Sequence, residues 1–255
     1  MCRRILALLA VAVGLTTACG TAIGTPAVPP PPASVGTITD QAIPDTVLRL
    51  PLVDYTGHAM SLASLRGKVL VISDMMTLCQ ETCPLDTANL VATARAVERA
   101  GLGRRVEFAS ITVDPGRDTP ARLAAYRRLF DPVPADWTLL TGPASSTDAL
   151  WHALGVYFQK APEASPPATD WLTGRPLTYD ITHSDLVFFV DGDEHERFTL
   201  DGAGHLARGT SLPSTLHKFL DAQGLRNLSN PDSDTWTVPQ ALQAVSWLTN
   251  HRITG

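Results

Sequence analysis

Apolar positions recur in short runs from about residue 43 onward, and their spacing changes repeatedly between that of a strand and that of a helix. The run 68–73 is short and rich in β-branched residues, which predicts a central strand that is covered on both faces. A second run of this kind lies at 106–113. Between them, 87–100 carries Ala, Leu and Val at helical spacing and is followed by a glycine, which predicts a helix.

The same alternation continues to about residue 220. It predicts a strand at 47–53, a helix at 118–130, a strand at 137–140, a helix at 147–154, paired strands at 181–190 and 194–200, and a helix at 210–220. This order predicts an α/β fold with a central mixed sheet flanked by helices, in a single domain of the thioredoxin-like kind. In open α/β sheets the functional site lies beyond the C-terminal ends of the strands.

The pattern also predicts boundaries for this domain. The domain itself is expected at 43–222. Residues 19–42, which include a run of four prolines, are expected to form a semi-rigid tether. Residues 223–255 are expected to be a C-terminal extension, with a short helix that packs its apolar face on the domain.

The first 18 residues are typical of a lipoprotein signal peptide. Arg3 and Arg4 precede an apolar run of about 11 residues, which is too short to span a bilayer. Small residues then precede Cys19, and a glycine follows it, in a pattern that resembles a bacterial lipobox. We therefore expect a lipid on Cys19 and a lipid-anchored protein at the extracytoplasmic face of the bacterial cell membrane. The alternative is a plain secretory signal that is cut nearby.

Composition and charge narrow the class of protein. The chain is 44% hydrophobic and 18% charged, which is enough apolar surface for a buried core. Its formal net charge is −5, and lysine and arginine form no cluster. Binding to nucleic acid is therefore not expected, because it needs concentrated positive charge.

Two of the four cysteines remain after the leader and the lipidation site are set aside, namely Cys79 and Cys83. They form a C-x-x-x-C motif that follows the first central strand and enters the next helix, where a helix N-terminus lowers a thiol pKa. Redox thioredoxins use C-x-x-C, and the additional residue here leaves room for an ion. A static disulfide and a redox pair remain alternatives.

A metal site with two thiolates needs a further ligand, and His183 is the candidate among the seven histidines. It directly precedes the apolar run 186–190, in the loop that faces the cysteine loop in a thioredoxin-like domain. Two thiolates and one imidazole suit copper, as Cu(I) in a trigonal arrangement. The other histidines are expected to be ordinary solvated or packed residues.

Several motifs together resemble one family. They are the C-x-x-x-C-P motif, the stretch D-P-G-R-D-T-P at 114–120, and the His-Ser pair at 183–184. The chain resembles the Sco/SenC copper proteins, a thioredoxin-like family involved in assembling cytochrome c oxidase. That family usually has a Pro-Asp pair inside its motif, where this chain has Gln80 and Glu81.

The resemblance implies that Cys79, Cys83 and His183 bind copper as Cu(I) or Cu(II). It also implies delivery of copper to the CuA domain of cytochrome c oxidase subunit II, or maintenance of that centre in the reduced state. Other copper carriers or thiol reductants are then further partners.

Other functions are compatible with parts of the same pattern. The main alternative is a thiol-disulfide oxidoreductase that cycles Cys79 and Cys83 without a metal. A peroxiredoxin-like peroxidase requires a threonine three residues before its reactive cysteine, where this chain has Met76 or Gln80. A membrane-tethered interaction module with a structural disulfide is the fourth possibility.

Overall fold

One eight-stranded mixed sheet forms the centre of the molecule. A computed structural model describes residues 27–207, 210–229 and 235–254. The expected signal peptide at 1–18 and the expected lipidation site Cys19 lie outside these residues. Within the described ranges, no helix is both long enough and apolar enough to cross a bilayer.

Strands and helices alternate along most of the chain. The strands are β1 (Thr37–Ala42), β2 (Leu52–Asp54), β3 (Ala59–Met60), β4 (Val69–Met75), β5 (Val106–Thr112), β6 (Trp137–Thr141), β7 (Phe158–Ala161), β8 (Asp180–His183), β9 (Leu186–Val190), β10 (His195–Asp201), β11 (Ala203–Gly204) and β12 (Thr235–Trp236). The helices are α1 (Asp45–Leu48), α2 (Cys83–Arg99), α3 (Pro120–Arg128), α4 (Ala144–Ala153), α5 (Ser214–Phe219), α6 (Ala222–Ser229) and α7 (Val238–Thr249), and Leu62–Leu65 forms a single 3-10 turn.

The order of strands across the main sheet is β1-β10-β9-β4-β5-β6-β2-β3. Strands β4, β5 and β6 are parallel, and β9 pairs with β4 in the antiparallel direction. All seven positions of β4 and of β5 are buried, as the apolar runs predicted for strands covered on both faces. The thioredoxin-like α/β fold expected from the sequence is confirmed.

The folded part of the chain begins earlier than the expected boundary at residue 43. Strand β1 lies within the expected tether, but it pairs with β10 at the edge of the main sheet. Its side chains are mostly exposed, so backbone hydrogen bonds rather than an apolar face hold it there. Such a strand leaves no hydrophobic pattern in the sequence.

The strand expected at 47–53 is wrong over its first part. Helix α1 occupies Asp45–Leu48 and buries Leu48, and only Leu52–Asp54 joins the sheet as β2. Pro51 has no N–H to donate to a neighbouring strand, so the ladder can begin only after it.

The strand expected at 181–190 is divided into two. Strand β8 pairs with β7 in a separate two-stranded sheet, and β9 belongs to the main sheet. The break falls at Ser184 and Asp185, where the N–H of Ser184 donates to the carbonyl of Tyr157 at 2.9 Å. This break places the end of β8 beside the cysteine loop.

The C-terminal residues are part of the core. Helix α7 packs against α2, and Trp236 is 1% exposed. Its indole Nε1 donates to the carboxylate of Asp86 in α2 at 3.0 Å, and Thr237 with Gln240 forms a capping box at the start of α7. The C-terminal part of the chain therefore completes the hydrophobic core.

Candidate metal centre

The cysteine loop connects the C-terminal end of β4 to the start of α2. Thr77 anchors the first half of this loop. The N–H of Thr77 donates to Asp118 at 3.1 Å, and the hydroxyl of Thr77 donates to the same carboxylate. The indole of Trp171 donates to the carbonyl of Thr77 at 2.7 Å. Cys79 lies in the loop itself, and Cys83 is the first residue of α2. Both lie at the edge of the sheet where the fold class predicts the site.

The two cysteines are free thiols in a buried position, with exposures of 6% for Cys79 and 1% for Cys83. The backbone N–H of Cys83 donates to Sγ of Cys79 at 3.3 Å. A hydrogen bond from Cys83 lowers the pKa of the Cys79 thiol well below its usual range, although burial opposes this shift, and His183 lowers it further. Burial raises the pKa of Cys83, and its neighbour Cys79 adds to the effect. Cys79 is thus the more readily ionised thiol of the pair.

His183 lies at the end of β8 and comes close to the cysteine loop there. Its Nε2 is 3.4 Å from Sγ of Cys83. Its Nδ1 lies 2.6 Å from Oδ2 of Asp74 and 2.7 Å from the carbonyl oxygen of Ser184. Burial lowers the pKa of His183, but hydrogen bonds to Asp74 and Cys79 outweigh it and hold this pKa well above the usual value. Both shifts favour the charged forms of these groups, the thiolate of Cys79 and the protonated imidazole of His183, in the metal-free site.

The three residues expected to bind metal are brought together by the fold. One donor atom each from Cys79, Cys83 and His183 lies within 4.8 Å of the other two. Two sulfurs and one imidazole nitrogen are soft or intermediate donors, and such a set fits copper better than magnesium or calcium. Across the described ranges, no other group of three His, Cys, Asp or Glu residues gathers in this way.

A cavity of about 310 Å³ opens onto this group. Five carboxylates line it, namely Glu81, Glu163, Asp180, Asp185 and Asp221. The hydroxyl of Thr82 donates to Asp185 at 2.8 Å, and burial raises the pKa of Asp185 to about 7. The entrance to the site is therefore lined by acidic residues.

Two functional carboxylates were not expected from the sequence. Asp74 holds the imidazole of His183, and Asp185 lies beside the cysteine loop. The available signal for Asp74 was its position, because it is a charged residue near the end of the apolar strand 69–75. A buried carboxylate requires a partner.

Several known proteins are similar to this chain in sequence. The chain is 31% identical over 142 residues to SCO2 homolog of Bos taurus, covering 56% of this chain and 48% of that protein. It spans about half the length of the mammalian SCO2 proteins that it matches. It is 29% identical over 154 residues to a protein of Stutzerimonas stutzeri whose name proposes copper binding, covering 60% of this chain and 66% of that protein.

A solved structure shows the same fold. The crystal structure of a SCO1/SenC family lipoprotein from Bacillus anthracis str. Ames is 20% identical in sequence and has a TM-score of 0.50. The likeness covers 72% of this chain and 94% of that one. The sequence model of the SCO1/SenC family matches residues 41–208, which is more than half of the chain. This protein therefore belongs to the SCO1/SenC family.

Proposed function

We propose that this protein is a copper-binding metallochaperone that delivers copper to the CuA site of cytochrome c oxidase, or keeps the cysteines of that site reduced. The observation that carries the proposal is the convergence of Cys79, Cys83 and His183 within 4.8 Å in a buried pocket. Family membership and the name of the Stutzerimonas stutzeri relative support copper as the metal.

The residues present fit a copper ion as cargo. Cys79 and Cys83 would supply thiolate sulfurs, and His183 would supply its Nε2, which already faces Cys83. Thiolates stabilise Cu(I), and burial of both sulfurs limits their contact with solvent. The cavity of about 310 Å³ leaves one side of the group accessible to an acceptor.

Copper titration of the reduced protein tests this proposal. We expect one copper per chain with sulfur ligation in X-ray absorption spectra, and we expect His183→Ala to weaken Cu(I) binding by about tenfold or more. The matched control is His195→Ala, because His195 lies on strand β10, and its partly exposed imidazole is hydrogen-bonded to Asp40. Equal affinity of His183→Ala and the unchanged protein would refute the three-ligand site.

A thiol-disulfide oxidoreductase is the second candidate, and the lowered pKa of Cys79 favours it. In that reaction the thiolate of Cys79 attacks a partner disulfide and releases one partner thiolate. Cys83 then attacks the mixed disulfide, which releases the second partner thiol and leaves a Cys79–Cys83 disulfide. A Cys79–Cys83 potential too oxidising to reduce a CuA-type disulfide would count against this role.

We also propose that the protein is anchored by a lipid on Cys19 at the extracytoplasmic face of the bacterial cell membrane. The basic and apolar leader and the small residues before Cys19 support this. Cys19→Ser is expected to move the protein from the membrane fraction to the soluble extracytoplasmic fraction, as measured by immunoblotting of fractionated cells. Retention of Cys19→Ser in the membrane would disprove lipid anchoring at this residue.

A further inference from the structure

Helix α6 lies directly on the cysteine loop. The backbone N–H of Asp221, just before the helix, donates to the carbonyl of Gln80 at 3.2 Å. The side-chain amide of Asn227, near the end of the helix, donates to the carbonyl of Glu81 at 3.5 Å. Both acceptors lie between the two cysteines, so α6 binds the backbone of the segment that sets the sulfur positions.

The closest approach is at Gly224. A Cβ built on this residue would overlap the carbonyl oxygen of Gln80 and would lie 2.9 Å from Cδ2 of Leu220. Gly224 has no positive φ, so its backbone conformation is open to any residue. Glycine inside a helix costs about 1 kcal/mol relative to alanine. Close packing against the loop is therefore the physical reason for a glycine here.

Residues at the end of α5 and just after it also lie against the cysteine loop and the start of α2. Phe219 belongs to one buried hydrophobic cluster with Leu78, which directly precedes Cys79. Leu220 belongs to another with Leu85, which lies in the first turn of α2 after Cys83. The carboxylate of Asp221 accepts the N–H of Gly224 at 2.7 Å and fixes the start of α6. Both sides of the C-x-x-x-C motif are thus in contact with 219–227.

We infer that helix α6 holds the cysteine loop in the conformation that brings the two sulfurs to His183, with Gly224 as the positioning residue. The segment lies beyond residues 41–208, the part of the chain that matches the family. The inference rests on the proposed function only where Cu(I) affinity is measured. The accessibility of the thiols can be measured without metal.

The test compares Gly224→Ala with Leu225→Ala in the full mature chain. Leu225 is in the same helix and 43% exposed, so it controls for general effects on α6. Two quantities are measured: Cu(I) affinity by competition with a chromogenic chelator, and the rate at which iodoacetamide alkylates the metal-free thiols. Gly224→Ala should lower the affinity by about tenfold. It should also raise the alkylation rate about fivefold, because displacement of the loop exposes buried sulfurs.

The direction of the change in alkylation rate distinguishes a positioning role of Gly224 from a general effect on helix stability. Alanine favours the helix, so slower alkylation or unchanged values in Gly224→Ala would overturn the inference. If Gly224→Ala does not fold, Asn227→Ala decides, because it adds no atoms and removes the bond to Glu81, together with a bond within α6 from Gln223. Faster alkylation in Asn227→Ala than in Leu225→Ala supports the inference, and equal rates overturn it. Absence of copper binding by the unchanged protein would refute the proposed function and would leave the alkylation test valid.

Discussion

The contact that orients the candidate metal centre is the one between Asp74 and His183. The side chain of Asp74 is fully buried in strand β4 and has two partners, Nδ1 of His183 and the N–H of Leu186 at 2.8 Å. The carbonyl oxygen of Ser184 lies 2.7 Å from Nδ1 and can only accept a hydrogen bond, so Nδ1 donates and Nε2 is directed towards Cys83. Binding of a metal at Nε2 requires loss of its proton. Asp74 therefore sets both the direction and the basicity of the imidazole.

Asp74→Asn tests this role. An amide can occupy the same space, but it carries no charge, so the pKa of His183 should fall. We expect Cu(I) affinity to fall about 10-fold to 100-fold, the usual cost of losing a partner of a ligating histidine. Affinity is measured by chelator competition, and the pKa of His183 by NMR titration of the metal-free chain. A pKa and an affinity both equal to those of the unchanged protein would contradict the role of Asp74.

The donor residues could be predicted from the sequence, but the pairing of Asp74 with His183 could not. Cys79 and Cys83 form a local motif, and His183 occupies a recognisable place before an apolar strand. The partner of Asp74 is 109 positions away in the chain, and only the pairing of β4 with β9 brings the two together. A contact that depends on strand register leaves no local pattern.

At the scale of elements, prediction succeeded where side-chain burial defines the element. Strands β4 and β5 are buried at every position, so continuous apolar runs mark them. It failed where backbone hydrogen bonds define the element, as in the exposed edge strand β1, and it joined β8 and β9 into one strand. The contact of α6 with the cysteine loop also had no sequence signal, since Gly224 resembles an ordinary helix-weakening glycine.

At the scale of the whole molecule, the parallel strands separate two buried charged regions. Their C-terminal ends carry the candidate metal centre. Their N-terminal ends carry Asp136, which is 4% exposed, and the Lys68–Glu107 ion pair with a distance of 2.7 Å. Within the described residues, neither carboxylate oxygen of Asp136 has a hydrogen-bond partner. Burial raises the pKa of Asp136 to about 7, and nearby Glu98 and Glu107 contribute.

This raised pKa gives the folded protein a specific dependence on pH. The unfolded chain loses the Asp136 proton near pH 3.8, and the folded chain loses it near pH 7. Between these values the folded state binds more protons, so this group lowers the free energy of unfolding as pH rises. Asp136→Asn should therefore raise the melting temperature at pH 8 by about 3 °C, equivalent to about 1 kcal/mol, and change it little at pH 4.

Thermal unfolding followed by circular dichroism at pH 4 and pH 8 measures this difference. Asp148→Asn is the matched control, because Asp148 is exposed on α4. An equal gain at both pH values would show that charge on Asp136 is not the cause.

The closeness of the two free thiols links the oxidation state of this pair to copper binding. A sulfur in a disulfide has no free thiolate to offer an ion, so oxidation of the pair and occupancy by copper exclude each other. An ion in place shields both sulfurs from oxidants, whereas an oxidised pair must first receive two electrons before it can be loaded. The supply of reductant therefore determines how many of these molecules are able to bind copper.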